Sequence, residues 1–275
     1  MSRSLYNWLY RDTLSSRGRM AMLFGGVVVT VAVLGGGIWY WFHAKAEAEA
    51  EQARQVAAAL QQRKTNIHTF YTTALTGTGI QGFLNLYGEI LQSRQPIELS
   101  GFSEDSFSCT TDSCDFSYKA GENTVFSIQQ KRFRGTDYPA TFSQSTVDYT
   151  GIPSRMNSNP VLDAFNRREK ITEPDCNDIL NYIYSYNSLA DAGRRFTLTA
   201  LPSSSVTADE AGLPGNPENY GLLAGKWSVM LSDNYLNVFS FWKDRPYATA
   251  FIFQSVAKKA NMNTIEISGT FLCKK

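Results

Sequence analysis

The sequence predicts an α+β fold in which a long helical stem precedes the folded part of the chain. Residues 20–42 form an uncharged apolar run, and residues 43–75 are rich in strong helix formers. Residues 79–275 combine short amphipathic helical stripes with segments in which every second residue is apolar. All four cysteines fall in this later part. We therefore expect a single transmembrane helix, a helical rod, and then one or two disulfide-bonded α+β units.

The apolar run, residues 20–42, is the strongest signal in the chain. A helix of this length spans about 30 Å, the thickness of a bilayer core. The run ends in the aromatic cluster W-Y-W-F, which is typical of a membrane interface and not of a cleaved signal peptide. The tail, residues 1–19, carries four arginines against one acid, so the positive-inside rule places the N-terminus in the cytoplasm. In a bacterium the span would lie in the inner membrane and the C-terminal region in the periplasm.

The rod, residues 43–75, is expected to continue the membrane helix outward. One heptad frame places apolar side chains at all but one of its a and d positions, and Arg63 is the exception. These residues are Ala53, Val56, Leu60, Ile67, Phe70 and Ala74. We expect Val56, Leu60, Ile67 and Phe70 to mediate coiled-coil association; the alternative is a single solvated stalk.

The cytoplasmic tail contains one apolar helical stripe. Leu5, Trp8 and Leu9 lie three and four residues apart, which favours a short amphipathic helix. Such a helix would either lie on the inner leaflet of the membrane or dock a cytoplasmic partner.

The cysteines predict two structural disulfides. On the far side of the membrane an oxidising environment allows disulfides to persist. The short loop C-T-T-D-S-C favours pairing of Cys109 with Cys114, which leaves Cys176 for Cys273 by elimination. Zinc sites use paired cysteines or histidines at closer spacing, and a thiol oxidoreductase uses C-x-x-C at a helix N-terminus, so neither is expected here.

The first α+β unit is predicted over residues 79–135. An amphipathic helix over residues 82–92 should end before Pro96, and a strand should begin at Ile97. A hairpin follows, with apolar residues alternating on both sides of the cysteine loop. Residues 131–160 are polar and interrupted by three prolines, which predicts loops and edge structure.

The second unit is predicted over residues 160–275. A helix over residues 175–186 precedes a strand over residues 194–202, and the turn-rich segment 203–221 is expected to be a mobile loop. A strand from residue 225, a helix capped by Ser232 or Asp233, and two final strands complete the order β, β, α, β, β. The apolar residues of that helix are Tyr235, Leu236, Val238, Phe239 and Trp242. Two separate units and one unit with a degenerate internal repeat both fit this pattern.

Composition excludes several classes of function. The 26 basic residues nearly balance the 25 acidic ones, so no nucleic-acid partner is expected. The two histidines, His43 and His68, precede the α+β region, which excludes a Ser-His-Asp or Cys-His site there. The T-G-T-G segment at residues 76–79 lacks the strand-to-helix context and the basic residue of a phosphate loop.

Two groups of charged residues are interpreted as solvated. Near the hairpin lie the carboxylates of Glu104, Asp105 and Asp112, a weak candidate for an acid/base pair. Farther along, Phe133 is flanked by the basic residues Lys131, Arg132 and Arg134, a pattern more typical of an edge than of a docking patch. We expect no catalytic residues, no cofactor and no metal.

Three short segments carry a family resemblance. They are P-I-E-L-S-G-F, then F-S-C-T-T-D-S-C-D-F-S-Y-K-A-G, then T-V-F, between residues 96 and 126. Together they resemble the PilO-type inner-membrane accessory proteins of type IVb pili. The C-terminal W-S-V-M-L and I-S-G-T-F-L segments are similar to the second ferredoxin-like half of such proteins. The chain departs from the longer members in lacking their large N-terminal cytoplasmic domain, and its length suits a toxin-coregulated-pilus type system.

The resemblance implies a non-enzymatic scaffold with protein partners. These would be other inner-membrane subunits of the pilus machine, a cytoplasmic scaffold or ATPase, secretin-associated proteins, and a second copy of the chain or a related chain. The short tail makes direct recruitment of an ATPase the weakest of these expectations. The alternatives are an inner-membrane subunit of type II secretion, a cell-division scaffold, and a periplasmic ligand sensor, which would need a pocket with converging polar groups.

Overall fold

The computed structural model describes residues 16–122, 124, 130–143 and 145–275, and only the backbone of residues 16–32 and 38. The helices in these ranges are α1 (Ser16–Leu75), α2 (Ile80–Glu98), α3 (Pro160–Asn166), α4 (Cys176–Leu189), α5 (Thr207–Ala211) and α6 (Tyr235–Trp242). The strands are β1 (Phe102–Cys109), β2 (Ser113–Ala120), β3 (Gln130–Phe133), β4 (Thr136–Pro139), β5 (Thr141–Phe142), β6 (Thr146–Pro153), β7 (Phe196–Ser203), β8 (Leu222–Ser232), β9 (Phe251–Lys258) and β10 (Thr264–Lys274). The protein is therefore an α+β protein, as the sequence predicts.

The chain divides into two units, residues 1–61 and residues 62–275. The described part of the first unit is helical, as part of α1. The predicted membrane segment, residues 20–42, lies within α1, but most of its side chains fall outside the described residues. Among the residues that the structure describes, none of the helices meets the length and apolarity needed to cross a bilayer. The residues of the predicted cytoplasmic tail that were assigned to docking, Leu5, Trp8 and Leu9, also lie outside the described residues.

An eight-stranded antiparallel sheet is the centre of the second unit. Its strand order is β5-β6-β2-β1-β9-β10-β8-β7, and β3 and β4 form a separate hairpin. The pairing of β1 with β9, which sets Phe107 opposite Lys258 and Cys109 opposite Val256, joins the strands of the two predicted units. The α+β region therefore forms one unit and not two, because β1 of the cysteine hairpin pairs with β9 in the same sheet. Separate ferredoxin-like halves are not seen.

One face of the sheet is covered by α2, α4 and α6. Aromatic rings dominate this core: the Trp227 ring lies 5.2 Å from that of Trp242 and 5.2 Å from that of Phe253, and Phe83 stacks on Phe253 at 4.5 Å. These four side chains are at most 1% exposed. Each edge-to-face or offset pair contributes roughly 0.5–1.5 kcal/mol beyond the burial of its surface. This face therefore holds most of the hydrophobic stabilisation.

The opposite face is covered by the last turns of α1 together with α3 and the segment around α5. Its core consists of Ile67, Tyr71, Ala74, Leu75, Phe165, Val206, Leu222, Ile252 and Leu272. Along β9 and β10 the side chains alternate between the two faces, so that Phe251 and Phe253 pack on one face and Ile252 on the other.

Both predicted disulfides are present. Cys109 is bonded to Cys114 at the end of the β1–β2 hairpin, and Cys176, at the start of α4, is bonded to Cys273 near the end of β10. The second bond spans 97 residues and ties the C-terminal strand to α4. The described chain has no free cysteine.

Two local expectations about α2 and β1 are wrong. The helix does not stop before Pro96 but continues to Glu98, because proline removes only its own donor and later donors still bond: the Leu99 N–H reaches the Gln95 carbonyl at 3.0 Å. The strand consequently begins at Phe102 and not at Ile97.

Other differences concern polar segments. Residues 146–153 form β6, which is paired with β2 and lies second from one edge of the main sheet, where the sequence predicts loops and edge structure. The predicted mobile loop 203–221 contains the short helix α5.

The start of α6 also differs from the prediction. The cap is Asn234, whose side chain accepts from the Leu236 N–H, and neither Ser232 nor Asp233 caps the helix. The buried face consists of Val238, Phe241 and Trp242, while Leu236 is 72% exposed.

Candidate functional site

The end of α1 is bound into the second unit by side chains from three separate elements. A helix ends with four backbone carbonyls that have no partner within the helix. Here Gln254, Thr270 and Asn159 supply donors to these carbonyls and to the turn that follows. The bonds run from Gln254 to the Thr76 carbonyl (2.8 Å), from Thr270 to the Ala74 carbonyl (2.7 Å), and from Asn159 to the Leu75 and Gly77 carbonyls (2.8 and 3.0 Å). We call this arrangement the α1 socket.

Tyr71 forms the second anchor of the α1 socket. Its ring is fully buried, and its hydroxyl donates to the Glu210 carboxylate at 2.6 Å and accepts from the Leu222 N–H at 3.2 Å. Burial, and then the hydrogen bond to Glu210, raises the pKa of the Tyr71 hydroxyl. Leaving such a hydroxyl without its partners would cost about 1–3 kcal/mol, so Tyr71 helps to hold the last turns of α1 in place within the second unit.

The coiled-coil prediction is corrected in part by these contacts. Ile67 is fully buried within its own chain, and Phe70 packs against the same core. Ile67 is therefore not free for a seam with a second helix, and Phe70 is only partly exposed. The side chains of Val56 and Leu60 are 60% and 39% exposed, so only the N-terminal half of the predicted seam remains available.

A buried ion cluster lies near the start of α6. It joins Arg94, Glu104, Asp233 and Lys258, which belong to or adjoin four different elements. The Asp233 carboxylate accepts from Arg94 at 2.9 Å, from Lys258 at 2.8 Å and from the Tyr87 hydroxyl at 2.7 Å. The side chains of Glu104 and Asp233 are 1% and 5% exposed. The predicted acid/base candidate Glu104 is thus a member of an ion cluster.

The ion cluster is balanced in charge, with two cations and two carboxylates. Burial alone would raise the pKa of Asp233, but hydrogen bonds from Arg94, Lys258 and Tyr87 outweigh burial and hold that pKa below its usual range. For Glu104 burial dominates and raises the pKa of the carboxyl, although Arg94 and Lys258 oppose it. The cluster ties α2, β1 and β9 to the β8–α6 corner, which is a structural role. The other two predicted carboxylates lie apart, with Asp105 bonded to Lys119 at 2.6 Å and Asp112 exposed.

The basic segment around Phe133 is split by the structure. Lys131, expected in solvent, is 1% exposed; its ammonium group donates to the Tyr118 hydroxyl at 2.7 Å and lies 4.3 Å from the centre of the Phe116 ring. Burial lowers the pKa of Lys131 to about 7. Arg132 is exposed, whereas Arg134, half-buried, enters a cavity.

That cavity has a volume of about 530 Å³ and is polar. Its lining includes Thr78, Gly82, Glu89, Arg134 and Arg155. A second cavity of about 540 Å³, lined in part by apolar side chains, shares Thr78, Gly82 and Ser158 with the first. We call the first the arginine cavity and the second the apolar cavity.

Sequence reasoning passed over the arginine cavity because its residues come from distant parts of the chain. One signal was available: residues 77–82 read G-T-G-I-Q-G, the spacing G-x-G-x-x-G. In the structure this segment contains the bridge between Thr78 and Phe253 and leads into α2. Gly77 has φ +149°, and an added Cβ at Gly82 would collide with the Thr78 hydroxyl.

The described residues contain no cluster of three or more metal-ligating side chains. Comparison with protein-family models, with curated proteins and with solved structures yields no match for this chain.

Proposed function

We propose that the protein is a non-enzymatic scaffold of the inner membrane, and specifically the PilO-type accessory subunit of a type IVb pilus assembly machine. Residues 20–42 would anchor it, with the N-terminus in the cytoplasm and the α+β unit in the periplasm. The protein would link cytoplasmic components of the machine to periplasmic and outer-membrane ones through protein contacts.

The observation that carries this proposal is the α1 socket. The helix that contains the apolar segment runs without interruption to Leu75, and its last turns are core elements of the α+β unit. Donors from Gln254, Thr270 and Asn159 hold the end of this helix within the α+β unit. Such an attachment suits a subunit whose stem and folded unit are continuous.

The disulfides support the location. Both bonds lie in the α+β unit, and structural disulfides form and persist in oxidising compartments such as the bacterial periplasm. The basic tail, residues 1–19, supports a cytoplasmic N-terminus by the positive-inside rule.

The test is a mild-detergent pulldown of the full chain from its host, with partners identified by mass spectrometry. Recovery of a pilus ATPase, a polytopic core protein or a secretin is the expected result. Recovery of type II secretion components instead would replace the pilus assignment, because that system shares the architecture. Recovery of the chain alone would overturn the scaffold proposal.

The matched variants differ in the continuity of the helix, and because both insertions fall between Val56 and Leu60, each shifts the predicted seam by the same three residues. Inserting Gly-Gly-Ser after Ala58 breaks α1 outside the socket, and inserting a helical Ala-Glu-Ala at the same point does not. The flexible insertion should keep the partners and abolish assembly, and the helical one should be milder. Equal effects would contradict a role for rigid attachment.

The arginine cavity favours a second candidate, a periplasmic ligand sensor. This function requires converging polar groups in a pocket, which the cavity offers. A cytoplasmic regulator as the main partner in the pulldown would favour it.

A further inference from the structure

Two arginines without a paired acid face the same cavity. Both Arg134 and Arg155 line the arginine cavity, and neither has an ion pair within 4 Å or a side-chain hydrogen bond among the described residues. Arg134 is half-buried and Arg155 is exposed, and the pKa of Arg134 is lowered by burial and then by repulsion from the Arg155 guanidinium. Both residues have left-handed backbone, with φ of 48° and 55°, which is uncommon outside glycine and concentrates at ligand sites.

Thr78 and the start of α2 line the two cavities: Thr78 and Gly82 line both, whereas residues 79–81 line only the apolar cavity. Thr78 is 4% exposed and lines both cavities, and its hydroxyl has no hydrogen-bond partner in the described part of the chain. The 19-residue helix α2 begins beside it at Ile80, and its N-cap, Gly79, makes no side-chain cap. The first backbone donor to bond within α2 is that of Phe83, to the Gly79 carbonyl. The N–H groups before it are therefore donors with no partner among the described residues.

These groups are the complement of an oxyanion. Guanidinium groups bind phosphate through paired charge-assisted hydrogen bonds, and the start of a helix adds backbone donors and a favourable dipole. One acid, Glu89, also lines the cavity and partly offsets the two arginines. The apolar cavity next to it presents Ile80, Val161 and Phe251. A ligand that filled both cavities would carry one anionic group and an apolar body.

We propose that the arginine cavity binds the phosphate group of a small phosphate monoester, with the apolar part of the ligand in the adjoining apolar cavity. Arg134 and Arg155 hold the phosphate oxygens, and the Thr78 hydroxyl and the Gly82 N–H, whose residues line the same cavity, complete the site. The proposed phosphate site is independent of the proposed scaffold function. The pulldown tests the scaffold function and a ligand titration tests the site, so either proposal can fail without the other.

The test is calorimetric titration of the full chain in non-ionic detergent with phenyl phosphate, inorganic phosphate and benzoate. Saturable binding of phenyl phosphate is expected, weaker binding of inorganic phosphate because it leaves the apolar cavity empty, and weaker binding of benzoate because it has fewer oxygens. Binding should weaken with added salt. Arg134→Gln and Arg155→Gln should each weaken phenyl phosphate binding about 10-fold or more, the effect of losing a charge-assisted hydrogen bond.

Two further variants test the direction of the charge effect and provide a control. Glu89→Gln removes the opposing charge and should strengthen binding severalfold. Arg132→Gln removes an exposed arginine two residues from Arg134 and should leave the affinity unchanged. Circular dichroism and the melting temperature establish that each variant is folded.

Three results would overturn the proposal. The first is the absence of saturable phenyl phosphate binding up to about 10 mM, well above the range of a specific site. The second is an equal loss of phenyl phosphate affinity in Arg132→Gln and Arg134→Gln. The third is an unchanged affinity in both Arg134→Gln and Arg155→Gln. Binding of inorganic phosphate as tight as that of phenyl phosphate would remove the apolar cavity from the site and overturn the monoester assignment.

Discussion

Replacing Asp233 by Asn should destabilise the α+β unit strongly, because the carboxylate balances two buried cations. In the structure Asp233 accepts hydrogen bonds from Arg94 and Lys258 as well as from the Tyr87 hydroxyl. Asparagine has nearly the same shape but no charge, so Arg94 and Lys258 would be left with Glu104 alone. Breaking a buried ion pair in this way costs about 3–5 kcal/mol.

The measurement is urea unfolding of the full chain, followed by tryptophan fluorescence at pH 7. Asp105→Asn is the control, since its ion pair with Lys119 is partly exposed and should contribute about 0–1 kcal/mol. The double variant Asp233→Asn with Lys258→Met restores the charge balance and should recover much of the loss. A cost below about 1 kcal/mol for Asp233→Asn, or a double variant as unstable as the sum of the singles, would refute the balanced-cluster argument.

The same cluster predicts a pH dependence. Because the pKa of Asp233 lies below its usual range in the folded state, its stabilisation is present above the unfolded pKa and is lost as the pH falls through the folded value. The difference in free energy of unfolding between the wild type and Asp233→Asn should therefore shrink below about pH 4. A difference that stayed constant into strong acid would contradict the assignment.

Three more predictions follow from buried groups and from the rod. Burial lowers the pKa of Lys131 to about 7, so above this pH the folded state releases a proton that the unfolded state keeps. The free energy of unfolding should therefore rise with pH above about 7. Lys131→Met should remove this pH dependence and add about 1–4 kcal/mol of stability near pH 7. Thermal scans against pH measure both effects, and a flat wild-type profile would contradict them. Cys176→Ser with Cys273→Ser opens a loop of 97 residues and should cost about 4.7 kcal/mol by loop entropy, against about 2 kcal/mol for the hairpin disulfide, and urea midpoints will rank the two. Val56→Glu with Leu60→Glu should abolish crosslinking between rods and leave the unfolding midpoint unchanged; persistent crosslinking would exclude the seam.

Local patterns predicted the secondary structure well where one face of an element is apolar and one polar. The hairpin β1–β2, the helix α4 and the strands β8 to β10 are found where alternation and helical stripes place them. The long helix was predictable because residues 43–75 contain strong helix formers, and it ends at Leu75, just before the glycine-rich turn. The disulfide pairs followed from the short spacing of Cys109 and Cys114 and from elimination.

Sequence patterns gave wrong predictions of solvent exposure where a polar side chain bonds to a residue that is distant in the chain. Lys131 and Glu104 were interpreted as solvated, because the sequence does not show that Tyr118 and Arg94 lie within hydrogen-bonding reach of them. Ile67 fits a heptad position and a core position equally well, and only the packing of α1 on the sheet distinguishes them.

The sequence by itself determined the amphipathic helices and strands, the cysteine pairs and the apolar segment, because these depend on periodicity and spacing along the chain. By contrast, β6 and α5 lie in polar segments without a strong pattern of this kind. The tertiary structure alone decided that β1 pairs with β9 to make one sheet, that the end of α1 is held by Gln254, Thr270 and Asn159, and that Arg134 and Arg155 share a cavity. Those features join residues far apart in the chain. Their energies arise from long-range contacts that local periodicity does not record.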